Sequence, residues 1–138
     1  MFKKYFITFV ISFLITTSIA QAKQKPPFLI LGGIPHYTMT IKQNWDNKEL
    51  NLTKEQKAEL LKIRKDTISG IVSAKKKIAA LKSQVLKKIE MKTELKEFDT
   101  ILNKIASHKI EATKLHLSCV YRTKKVLNKK QLEVIDSL

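Results

Sequence analysis

The sequence predicts an all-α protein: an elongated antiparallel helical hairpin with short flanking helices. Three observations carry that expectation. Apolar residues recur at steps of three and four over most of the chain, the period of a helix and not of a strand. Two short motifs, "LTKEQ" (Leu52–Gln56) and "LNKKQ" (Leu127–Gln131), have the composition of helix starts. All three prolines and two of the three glycines precede His36, so few helix breakers remain in the rest of the chain.

Residues 1–22 read as a secretory signal peptide. Lys3 and Lys4 form a basic start, Phe6 to Ile19 an apolar run, and Ala20-Gln21-Ala22 a small-residue cleavage site. The run falls short of the ~20 residues that a spanning helix needs, and it carries several Ser and Thr. On this reading the working chain is Lys23–Leu138, exported, in one domain. Residues 23–35 ("KQKPPFLILGGIP") form a flexible lead-in, and residues 36–138 the helical domain.

Within that domain, His36–Leu50 is expected as a short helix anchored by Met39, Ile41 and Trp45. Thr53 then caps a long helix. Its hydroxyl can accept a first-turn N–H, while Gln56 reaches back to the cap's own N–H. The stripe Leu60, Ile63, Thr67, Ile71, Ala74, Ile78, Leu81, Val85 and Ile89 carries the helix to about Glu90, roughly 57 Å at 1.5 Å per residue. Only Gly70 interrupts it, and a bend is expected there. A third helix is expected from near Thr93, with a heptad seam through Phe98, Ile101, Ile105, His108, Ala112, Leu115, Cys119, Arg122 and Val126. Asn128 and Gln131 repeat the capping box before a short terminal helix.

Two long helices joined by a short turn fold back on each other, and each has a second apolar stripe that its mate cannot shield. On the first rod this is Leu61, Ile68, Val72, Ala79 and Leu86; on the second it is Leu95, Leu102, Ala106, Leu117, Val120 and Leu127. At about 25 cal/mol per Å², leaving both wet forgoes several kcal/mol. A homodimer is therefore expected, with apolar surface left for a further partner.

Charge narrows the partners. The full chain has 27 Lys and Arg, 12 Asp and Glu, and a net charge of +15. Without residues 1–22, which carry two lysines and no acids, 25 basic residues face 12 acidic ones, a net +13. In an exported protein this excess points away from nucleic acid and towards acidic protein surfaces, anionic lipid, or unfolded chains with exposed carboxylates. A single thiol, Cys119, allows no disulfide within the chain.

These residues together carry a resemblance. An exported, basic, helical chain with "ELNLTKEQKAEL" after a short helix, and a second L-[T/N]-x-x-Q before the terminal one, resembles the Spy/CpxP family of periplasmic LTXXQ-motif proteins. The likeness runs from about His36 to the C-terminus. It departs at Asn128, where the motif has Thr, but Asn caps a helix equally well. The resemblance implies a periplasmic, cradle-like homodimer of helical hairpins. Family members include an ATP-independent chaperone, an inhibitor of an envelope-stress sensor kinase, and metal-responsive relatives.

The residues support three functional readings. In the first, a holdase-type chaperone binds unfolded or acidic envelope proteins through Lys75, Lys76 and Lys77 beside the apolar Ile68, Val72, Leu117 and Val120. It needs no cofactor, and no phosphate-binding G-x-x-x-x-G-K-[ST] loop is present. In the second, a copper-, zinc- or nickel-responsive periplasmic sensor uses His116 and Cys119, side by side at i, i+3, with His36 and Met39 from the N-terminal side; imidazole with thiolate and thioether suits copper or zinc. An H-x-x-C pair alone supplies two ligands, where a stable site takes three or four. In the third, the basic face docks on the periplasmic domain of a sensor kinase. An enzyme is not expected: there is no nucleophile elbow and no paired-carboxylate setting. His108 reads as a core or interface histidine.

Overall fold

The computed structural model describes residues 25–138; the expected signal peptide lies outside them. All regular structure among the described residues is helical. The elements are α1 (Tyr37–Gln43), α2 (Lys54–Glu90), a 3₁₀ turn (Leu95–Phe98), α3 (Asp99–Val126) and α4 (Lys129–Asp136). No helix among them is long and apolar enough to cross a membrane.

α1 is shorter than its sequence suggests. Asn44 caps its end: its backbone N–H reaches both the Thr40 and Ile41 carbonyls at 3.1 Å, and its side-chain Nδ2 also donates to the Thr40 carbonyl at 2.9 Å. Asn47 Oδ1 then accepts the Glu49 N–H at 2.8 Å, and Asn51 adopts φ +38° just before α2 begins. Tyr37 and Ile41 are its buried anchors, whereas Met39 stays 46% exposed.

α2 starts at the expected cap, runs 37 residues, and closes with a Schellman turn. There Lys92 N–H reaches the Ile89 carbonyl (3.0 Å) and Thr93 N–H the Lys88 carbonyl (3.1 Å). Lys92 takes φ +52°, a left-handed conformation that favours glycine. This stop forces Thr93 and Glu94 out of the helix. The chain re-enters through the 3₁₀ turn, so α3 starts at Asp99 and not near Thr93.

Gln56 bonds to Val126, Arg122 lies beside Glu59 and Asp66, and Gly70 faces Leu115. As one number rises the other falls, so α2 and α3 run side by side in opposite directions. α2 buries Leu60, Ile63, Thr67, Ala74 and Ile78, and α3 buries Ile101, Ala112, Thr113, His116, Cys119 and Thr123. The main core gathers at one end, where Tyr37, Ile41, Leu50, Leu60, Leu127 and Ile135 bring α1 and α4 onto the two rods. Tyr37 ties α1 to α4 through a 2.9 Å hydrogen bond to Asp136.

Candidate functional site

Three arrangements carry chemistry. The first joins the two capping motifs. Thr53 Oγ1 accepts the Gln56 N–H at 3.1 Å, and Gln56 Oε1 accepts the Thr53 N–H at 3.1 Å. Asn128 and Gln131 do the same at 2.9 and 3.0 Å. The two glutamine amides then bond to each other, Gln56 Nε2 to Gln131 Oε1 at 2.9 Å and Gln131 Nε2 to Gln56 Oε1 at 3.1 Å. Their remaining amide hydrogens reach the Val126 and Leu50 carbonyls, both at 2.9 Å. Each glutamine thus caps its own helix and clasps the other's. Gln131 is buried, with Leu127 in the core and Leu52 packed against it. Sequence reasoning finds the caps and misses the clasp, because seventy-five residues separate its halves.

The second is a cavity of about 190 Å³ between α1, α2 and α3, whose walls include His36, Met39, His116 and Cys119. The structure therefore brings together all four residues singled out as metal ligands. His116 is only 5% exposed, and neither ring nitrogen has a hydrogen-bond partner. Its ring lies between two others, stacked on Phe28 at 5.0 Å and on His36 at 4.5 Å between centroids. Burial pushes its pKa below the ordinary imidazole value, and the charge of a protonated His36 adds to that. The Pro35 carbonyl works weakly the other way, without reaching hydrogen-bonding geometry. Buried Cys119 has its Sγ 3.7 Å from Thr38 Oγ1. Among the described residues, no three of His, Cys, Asp or Glu stand close enough to hold a metal ion as they are placed. Arg64, on the same wall, opposes a cation.

The third is an open face of α2. Leu61, Ile68, Val72 and Leu86 are exposed to between 44% and 62% along one side of the helix. Lys75, Lys76 and Lys77 are exposed; at 3.6 residues per turn Lys75 and Lys76 flank this side and Lys77 lies on the opposite one. Leu117 and Val120 of α3 are part-buried, and Val120 packs against the core, so little of it is free for a partner. His108 is half-buried at the edge of α3, its Nδ1 2.9 Å from Glu111 Oε2, outside the core.

No protein-family model, curated protein or solved structure matches the chain. The likeness to Spy/CpxP proteins therefore rests on the two motifs and their setting.

Proposed function

We propose that the chain is a periplasmic, ATP-independent chaperone of the Spy/CpxP kind, holding unfolded or acidic clients on a cradle-like homodimer of helical hairpins. The observation that carries this reading is the exposed apolar side of α2 within a lysine-rich surface. Covering a half-exposed Leu, Ile or Val yields roughly 1 kcal/mol, so the four together offer about 4 kcal/mol before any cost of association. Even with no such cost this would be only millimolar capture, so one chain alone holds little. Useful holding then needs a second copy to widen the surface, and charge to speed encounter. The test is suppression of the aggregation of a denatured acidic client, without ATP, in low and high salt. Suppression that weakens with salt supports the reading; none at either salt defeats it.

The cavity favours a second reading, a soft-metal sensor. Thioether, thiolate and imidazole together suit copper(I), and a singly charged ion suffers less from Arg64 than zinc does. The orphaned nitrogens of His116 supply the demand for a ligand, and His36, stacked on it at the cavity wall, brings a second imidazole. Copper(I) titration against a competing chelator tests this. Stoichiometric binding lost in Cys119→Ser and in His116→Phe supports the site, and binding unchanged by both dismisses it. A sensor-kinase adaptor would share the first reading's surface with a folded partner, and a pull-down recovering one membrane kinase would favour it.

A further inference from the structure

The lead-in is seated, not free. Residues 25–31 lie along α2 and α3 and roof a groove of about 420 Å³ whose floor includes Ile78, Ala79 and Leu86. Pro27 is buried, Phe28 stacks on His116, and the Leu29 N–H donates to Thr113 Oγ1 at 2.9 Å. This segment borders part of the apolar side that the chaperone reading uses, since Ala79 and Leu86 line the groove beneath it.

Its hold is light. Leu29, Ile30 and Leu31 remain 52%, 51% and 65% exposed, and the hydrogen bond from the Leu29 N–H to the Thr113 side chain ties the segment to α3. Its charge is also wrong for the place: Lys25 lines the same groove as Lys75, Lys82 and Lys109. Like charges so gathered repel, whereas acidic flanks on an incoming chain would meet the same three lysines favourably. Gly32 and Gly33, the latter at φ +76°, come next in the chain with no side chain of their own to anchor the segment.

We propose that this groove is a binding surface for an extended apolar stretch of a client chain with acidic flanks, and that residues 25–31 roof it in cis until such a stretch displaces them. The inference rests on the chaperone reading for its purpose, but not for its test.

The probe is a fluorescent peptide carrying the segment's own Pro-Pro-Phe-Leu-Ile-Leu core between glutamates, with a lysine-flanked peptide as control. Binding is measured to the full mature chain, to a chain lacking residues 25–31, and to the double variant Phe28→Ser/Leu29→Ser. The double variant loosens the segment and leaves every helix intact. Helix content by circular dichroism accompanies each titration. The expected result is roughly tenfold tighter binding of the acidic peptide by both altered chains than by the full chain. That gain should shrink in high salt and be absent for the lysine-flanked peptide. Equal affinity of all three chains for the acidic peptide, or equal affinity for the two peptides, overturns the proposal. If the peptides behave as expected while no form suppresses aggregation, the groove stands and the chaperone reading falls. If aggregation is suppressed and the three chains bind the peptide alike, the reverse holds.

Discussion

Replacing Gln131 by Ala removes five hydrogen bonds at once. They are the acceptor for the Asn128 N–H, both halves of the exchange with Gln56, the donor to the Leu50 carbonyl, and a longer one to the Asn51 carbonyl at 3.5 Å. A hydrogen bond contributes about 1 kcal/mol net, and a buried partner left unmatched costs more. Asn128 is exposed, so water can replace what its N–H loses, but the Leu50 carbonyl lies in the core and cannot be so relieved. The sum is about 3 kcal/mol, or roughly 12 °C in Tm for a domain of this size. Gln56→Ala should cost less, because its surroundings are wetter. The decisive assay is a double-mutant cycle by urea unfolding. Two amides bonded to each other should give a coupling energy of about 1–2 kcal/mol, so the double variant loses less than the two single losses combined. Additivity within about 0.3 kcal/mol would mean that the motifs are two independent caps, and the clasp reasoning would be refuted.

Lys92→Gly should stabilise the chain by about 1 kcal/mol, read as a raised urea midpoint, because it relieves a left-handed backbone at the end of α2. Stability should fall as pH drops below about 6.5, the ordinary value for His116. Burial holds the folded-state pKa beneath it, so the unfolded chain takes the proton first and the loss deepens until the folded pKa is reached. Urea unfolding at pH values either side of that window should show the slope, and His116→Gln should reduce it. Hydrogen exchange should be slow for the amides of Leu60–Thr67 and fast for those of Leu86–Met91, where Leu86, Ile89 and Met91 are more than half exposed. Equal protection in the two stretches would contradict the packing described.

The helices are legible in the sequence because period and caps are local signals. Thr53 with Gln56 and Asn128 with Gln131 state their own roles within four residues, and the stripe from Leu60 to Ile78 names the buried face of α2. Features that escape such reading depend on contacts between distant residues or on backbone detail. The stop at Lys92 uses a residue with no turn preference, so the pattern alone starts α3 six residues early. Gly70 suggests a bend, but its reason is proximity: a Cβ there would stand 2.6 Å from Leu115 Cδ1, in a helix that continues unbroken. The four cavity residues can be proposed from their chemistry and from the i, i+3 spacing of His116 and Cys119. That Phe28 and His36 sandwich the His116 ring has no signal in the sequence, because the lead-in has no period to fix its register.

The distribution of burial along the rods connects these features. At one end the glutamine clasp, the Tyr37–Asp136 bond and the core of α1 and α4 fix the helices. Beyond Ile78 no residue of α2 is buried, and of the residues from Ala79 to Leu102 only Ile101 is. A rod pair locked at one end and thinly packed at the other can widen towards its free end without disturbing the core, since each added displacement breaks few apolar contacts. The groove beneath residues 25–31 reaches into that thinly packed part, from Lys75 to Leu86. A bound client segment would therefore supply the apolar contacts that the far half lacks. Ordering the far half would then be subtracted from the free energy of capture, so a client held on one chain's face alone would leave readily.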